Sequence, residues 1–130
     1  VTTPLPARTV LRHAALAAAG GAIGTAGRLA LGTLIADGPA AVLVANLAGS
    51  LLLGILTARL PSSDLRILLG TGLLGGFTTY SAFAIDSVEL WAASPTLAVG
   101  YVAASIVGGL LAAWLGLRLG ASLTRRRSAR

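Results

Sequence analysis

The 130-residue sequence contains no cysteine, and every one of its ten basic positions is an arginine. Disulfide scaffolds, thiol catalysis and cysteine-held metal are thereby excluded, and the redox compartment leaves no trace in the chain. Charge is scarce, at 11% of residues, and the acids are four: Asp37, Asp64, Asp86 and Glu89. Aromatic residues make up only 5%. Apolar residues fill the chain instead, at 55%, with a mean hydropathy of +0.86 that lies well outside the range of soluble domains. The sequence reads as a membrane protein. Its 17 glycines and abundant alanine suit helices that approach one another through small residues. A net charge of +6 would suggest nucleic acid in a soluble protein, but most of these arginines flank apolar runs, where they set orientation in a bilayer.

Four apolar segments stand out, at about 14–35, 40–58, 67–85 and 96–117, each long enough to cross a hydrocarbon core of about 30 Å. The breaks between them carry turn chemistry: Asp37-Gly38-Pro39, Pro61-Ser62-Ser63-Asp64, and a segment from Asp86 to Pro95. Ser94-Pro95 reads as a cap and first-turn proline for the fourth helix. The first segment is longer than the apolar core of a signal peptide and carries glycines and Arg28 in its second half, so it is expected to stay in the mature protein. The expectation is one all-α membrane domain over residues 1–130.

Arg8 and Arg12 precede the first span, Arg59 and Arg66 lie between the second and third, and Arg118, Arg125, Arg126, Arg127 and Arg130 follow the fourth. The other two connections hold Asp37, Asp86 and Glu89 and no basic residue. An even number of spans puts both ends and the middle loop on one side, so the positive-inside rule places both termini in the cytoplasm. Trp91 and Trp114 then fall near opposite interfaces. The tail TRRRSAR (124–130) is read either as lying on anionic lipid or as a plain stop-transfer flank.

Several polar residues sit where a membrane helix wants leucine. Arg28 lies inside the first span, where an unpaired arginine costs about 2.5–3.5 kcal/mol. Either it snorkels to an interface or it is a fixed positive charge at the vestibule of an anion path. Around it GGAIGTAG (20–27) makes a smooth face for helix contact, and packing alone accounts for it. His13 is interfacial and has no assigned role. Asn46 and Ser50, and again Tyr101 and Ser105, are four residues apart and share one helix face each. Interhelical hydrogen bonds explain any one of them. The set as a whole offers N–H and O–H donors, with no carboxylate in a span interior, which favours an anion over a cation or proton relay. In GGFTTYSAF (75–83) the glycines and threonines allow local unwinding, with freed carbonyls facing a hard cation such as Na⁺. A glycine kink repaired by threonine hydroxyls is the alternative.

GGAIGTAGR (20–28), VANLAGSLLLG (44–54), GLLGGFTTYSAF (72–83) and YVAASIVGG (101–109) together resemble the Fluc/CrcB fluoride channels. The resemblance covers all four spans, and GGFTTYS is its most specific part. It implies a double-barrelled, antiparallel dimer whose third helix is broken near its middle. A structural, non-transported Na⁺ sits at the centre of such a dimer, held by the backbone carbonyls of Gly75 and Thr78 from each subunit. The fluoride path would use the Asn46 amide, the Thr79 and Ser81 hydroxyls, the rings of Tyr80 and Phe83, and the Tyr101 and Ser105 stripe, with Arg28 near a vestibule. The expected function is passive export of cytoplasmic fluoride across the cell membrane, not an enzymatic reaction. Two departures from the family pattern stand out: Tyr80 where phenylalanine is usual, and Gly109 where a hydroxyl residue is usual.

A homodimer of opposed subunits needs a weak charge bias, whereas here nine flanking arginines (8, 12, 59, 66, 118, 125, 126, 127, 130) fall on one side. A heterodimer with an inverted homologue is therefore expected. Two rival readings are a small multidrug-type antiporter, which needs a membrane-embedded acid, and an accessory membrane subunit whose polar stripes are helix glue. All four acids are expected in or beside loops.

Overall fold

The computed structural model describes residues 6–128, with side chains described as far as Leu123. The side chains of TRRRSAR, and so the contact of that tail with lipid, lie outside the described residues. The chain is all-helical among the described residues, with four stretches long and apolar enough to cross a membrane: Ala7–Leu34, Gly38–Arg59, Asp64–Ala93 and Pro95–Leu123. The first is helix α1 (Ala7–Leu34) and the second α2 (Gly38–Arg59). The third is assembled from α3 (Asp64–Arg66), a π-helical segment π1 (Ile67–Leu74), α4 (Gly75–Phe77) and α5 (Tyr80–Ala93). The fourth begins α6 (Pro95–Ser128).

The helix boundaries follow from local chemistry. Asp37 accepts from the Ala40 N–H at 3.2 Å while Pro39 stands in the first turn of α2, a start that needs no donor from proline. Ser63 accepts from the Arg66 N–H at 3.4 Å and opens the third span. The connection between the third and fourth spans is much shorter than the sequence suggests. The stretch from Asp86 onward stays helical to Ala93, and Ser94, with φ −160° and ψ 108°, is the single non-helical residue before Pro95 starts α6. Proline bars its preceding residue from helical dihedrals, and that constraint, not the acids, ends α5. Asp86 and Glu89 therefore stand on a spanning helix and not in a loop.

Two helix pairs carry the packing: α2 lies along α6, and α1 lies along π1 and α4. Glycine makes both approaches possible. A Cβ on Gly24 would strike the Leu73 carbonyl, one on Gly20 the Leu68 carbonyl, and one on Gly76 the Gly21 carbonyl, so the two backbones touch where side chains are missing. The same holds between α2 and α6, where a Cβ on Gly116 would strike the Leu51 carbonyl. Apart from glycines, the buried residues among those described are Ala41, Ala45, Leu74, Ala98 and Tyr101. Large side chains such as Leu34, Val88 and Leu110 point outward, as a lipid-facing or partner-facing surface allows.

At the base of α1 and α3, Arg12 forms an ion pair with Asp64, and His13 Nε2 lies 3.6 Å from the same carboxylate. This contact ties the first and third spans at the end that carries the arginines.

Candidate functional site

Thr78 (φ −79°, ψ 157°) and Thr79 (φ −149°, ψ 126°) are extended, between the end of α4 at Phe77 and the start of α5 at Tyr80. Helix ends carry carbonyls and N–H groups without intrahelical partners, and inside a membrane these must be met by other protein groups. Asn46 on α2 binds both backbone groups of Thr79, of which the N–H has no helical partner. Its Nδ2 donates to the Thr79 carbonyl at 3.0 Å, and its Oδ1 accepts from the Thr79 N–H at 2.8 Å. Gly49, one turn further along α2, leaves room for the Thr78 methyl group, which a Cβ there would strike. From α1, Thr25 Oγ1 and Arg28 Nε both donate to the Gly76 carbonyl at 3.4 Å. Arg28 is thus directed at the third span, where a cation also opposes the partial negative charge of a helix C-terminus.

Two carbonyls lose their helical partners through this arrangement. In a continuous helix the Thr79 N–H would bond the Gly75 carbonyl, but here it goes to Asn46. The Ala82 N–H would bond the Thr78 carbonyl, but here it donates to Thr79 Oγ1 at 3.3 Å, which caps α5. The Thr78 hydroxyl turns back to the Leu74 carbonyl at 2.9 Å.

Beside the extended pair lies an open groove of about 830 Å³. Asn46, Gly75, Thr78, Thr79, Tyr80, Phe83 and Ser105 all line it, with Ser50 further along the same wall. The Phe83 ring stands 6.0 Å from the Tyr80 ring and 5.5 Å from the Tyr101 ring, so three aromatic residues follow one another. Tyr80 is 80% exposed, at the outer end of this row. The Ser105 hydroxyl is buried and has no hydrogen-bond partner.

Three of the residues expected at the site stand apart from the groove. Tyr101 is buried beside Phe83, and its hydroxyl donates to Asp86 Oδ2 at 3.2 Å. Ser81 reaches the groove through Thr79, their hydroxyl oxygens being 3.2 Å apart. Arg28 lies on the α1 side of Gly76. Two participants are hard to see in the sequence. Asp86 reads as part of a connection, and only the stop supplied by Pro95 argues otherwise. Thr25 reads as part of a packing motif, although its three-residue spacing from Arg28 puts both on one helix face.

The family described as "CrcB-like protein, Camphor Resistance (CrcB)" matches residues 15–117. The chain belongs to this CrcB-like family. It is 45% identical over 108 residues to "Fluoride-specific ion channel FluC 2" of Rhodococcus jostii, covering 80% of this chain and 95% of that protein. Over 125 residues it is 42% identical to "Fluoride-specific ion channel FluC" of Chelativorans sp., covering 85% of this chain and 98% of the relative. A second Rhodococcus jostii protein, "Fluoride-specific ion channel FluC 1", is 43% identical over 113 residues, with 86% of this chain and 88% of that protein covered. With four helices long and apolar enough to cross a membrane, the CrcB-like chain is a multi-pass membrane protein whose relatives are named as ion channels and not as enzymes.

Proposed function

We propose that this CrcB-like chain is a subunit of a fluoride-selective channel that lets cytoplasmic F⁻ leave the cell passively. The observation that carries the reading is that one groove is lined by the Asn46 amide, the hydroxyl residues Thr79 and Ser50, the aromatic residues Tyr80 and Phe83, and Ser105, whose buried hydroxyl has no partner among the described residues. Fluoride is small, strongly hydrated and a strong acceptor, so its water must be replaced by donors and by the electropositive edges of aromatic rings. Asn46 spends one of its two N–H hydrogens on Thr79 and keeps the other for an ion. Such a path relieves toxicity because HF enters as a neutral weak acid and dissociates in the near-neutral cytoplasm.

The third span is read as a broken helix, and the carbonyls of Gly75 and Thr78 as the ligands of a structural Na⁺. Their release from helical bonding by Asn46 and Thr79 supports this, since Na⁺ prefers neutral oxygen ligands of this type. Two carbonyls from each subunit of an antiparallel dimer would complete the ligand set on a twofold axis. The charge bias supports an inverted homologue as the second subunit, with both termini of this chain in the cytoplasm. The names FluC 1 and FluC 2 for two Rhodococcus jostii relatives fit a pair of this kind.

Asp86, on a spanning helix, is the acid that an antiporter would require, but it is engaged by Tyr101. The names of its relatives, fluoride-specific ion channels, also favour a channel over exchange of cations. Ion release from liposomes holding the assembled channel, co-produced with its inverted homologue where one is needed, separates the readings. The channel releases F⁻ rapidly with little Cl⁻, and Asn46→Leu abolishes that release. An antiporter releases F⁻ in neither form, and dependence of transport on a proton gradient would overturn the channel assignment.

A further inference from the structure

We propose that Ser50 is a further fluoride-contacting residue, supplying from α2 the hydroxyl that α6 lacks at Gly109; the proposal rests on the fluoride-channel reading above. The two helices run side by side in the same direction. A Cβ at Gly108 would meet Leu47, one at Gly54 would meet Ala113, and one at Gly120 would meet Ala58, so position advances together on both. Four-residue spacing relates Asn46 to Ser50 on α2 and Ser105 to Gly109 on α6. Ser50 Oγ lies 3.8 Å from the place a Gly109 Cβ would take, in ordinary van der Waals contact with that empty position. One turn back, Asn46 and Ser105 line the groove together. The wall therefore has two rungs: Asn46 with Ser105, then Ser50 with the bare backbone of Gly109.

Both serines have hydroxyls to spare. Ser105 Oγ is buried without a partner, an arrangement that costs about 1–3 kcal/mol unless a ligand supplies the missing bond. Ser50 lines the same groove, and nothing on α6 at its own level competes for its proton, because Gly109 has no side chain. An anion leaving the Asn46 and Ser105 rung toward the ends of α2 and α6 that carry Arg59 and Arg118 moves about 5–6 Å, one helical turn, before it meets the next donor. Ser50 is that donor. With a hydroxyl on α6 instead, the rung would be served from the other helix, so the two positions are interchangeable in chemistry though not in sequence.

The test is F⁻ release from liposomes by the assembled channel. Ser50→Ala is expected to slow release at least about tenfold, the effect of removing a donor to a charged partner, with assembly on gel filtration unchanged. The double variant Ser50→Ala with Gly109→Ser moves the hydroxyl across the groove and is expected to restore most of the flux, which a purely structural serine would not allow. Ser50→Cys keeps the volume with a weaker donor and is expected to fall between serine and alanine; it serves in place of Ser50→Ala if that variant fails to assemble. Wild-type flux in Ser50→Ala or in Ser50→Cys, or a loss that Gly109→Ser leaves unrepaired, overturns the proposal while the channel reading stands. Absence of F⁻ release from the unsubstituted channel overturns both.

Discussion

Asn46 grips Thr79 by both ends of its amide, donating to the carbonyl at 3.0 Å and accepting from the N–H at 2.8 Å. A side chain on the second span thus replaces the bond that the Thr79 N–H would have made within a helix and adds one to the carbonyl that already caps α5. The pair explains why one asparagine in an apolar helix serves two purposes. It binds the backbone at Thr79, and its amide, with a second N–H to offer, belongs to a residue that lines the groove.

Asn46→Leu is expected to lose both flux and stability, because the Thr79 N–H is left partnerless, at about 1–3 kcal/mol, while the Thr79 carbonyl keeps only the bond it accepts as the cap of α5. Thermal unfolding in detergent should therefore fall together with F⁻ release. A variant that melts like the wild type while losing flux would assign Asn46 to the ion alone and remove its structural part.

The two threonines should differ sharply. The Thr78 hydroxyl bonds only the Leu74 carbonyl, four residues back in its own chain, and its methyl packs on Gly49. Thr78→Val keeps the methyl and the proposed carbonyl ligand, so flux is expected to stay near that of the wild type. Thr79→Val removes the cap of α5 and the hydroxyl beside Ser81, at a cost of about 1 kcal/mol in stability and most of the flux. Equal damage from the two would make the Thr78 hydroxyl, and not its main-chain oxygen, the functional group.

Glycines of identical composition have opposite expected behaviour. Gly24→Ala drives a Cβ into the Leu73 carbonyl, which belongs to backbone and has nowhere to move, so a loss of about 1–3 kcal/mol is expected. Gly32→Ala meets nothing within 4 Å and should raise helix stability by up to about 1 kcal/mol. Gly75 is a third case. It has helical dihedrals (φ −64°, ψ −35°), and a Cβ there would meet only the Gly70 carbonyl, at 3.9 Å. Gly75→Val is therefore expected to insert as a folded subunit yet fail in dimer assembly or flux, since what it crowds is the proposed ion and partner. Normal flux from this variant would remove Gly75 from the Na⁺ site.

The four apolar spans were legible because hydropathy over some twenty residues is a property of composition, indifferent to how helices pack. Finer features depended on contacts between distant residues. The sequence allows unwinding anywhere in the stretch of Gly75, Gly76, Thr78 and Thr79; the two glycines are helical, and Gly76 uses its missing side chain to let α1 approach. The extended dihedrals fall at Thr78 and Thr79, where Asn46, 33 positions away in the chain, offers the replacement bonds. The π-helical turns of Ile67–Leu74, in which the Gly75 N–H reaches the Gly70 carbonyl, have no periodic signature short enough to read. Asp86 was misassigned because a charged residue near the end of an apolar run looks like a boundary. In the helix the Tyr101 hydroxyl, brought in by α6, donates to it.

Orientation gives the last prediction. An antiparallel dimer of one sequence requires that sequence to insert both ways, and insertion follows the balance of arginine and lysine near the ends of the spans. This chain has no such balance: its flanking arginines all lie on the side of the termini and the middle loop, and the opposite connections offer only acids. A reporter fused after Arg130, in cells that produce this chain alone, should therefore give signal from the cytoplasmic side only. Signal from both sides would show dual insertion and sink the heterodimer. If insertion is one-sided, the chain by itself cannot place two opposed third spans on a common axis, so F⁻ release should appear only when a homologue of reversed charge bias is produced with it. Moving the bias, by Arg59→Ala with Arg66→Ala and arginines introduced beside Asp37, should then loosen that dependence by letting some copies insert inverted.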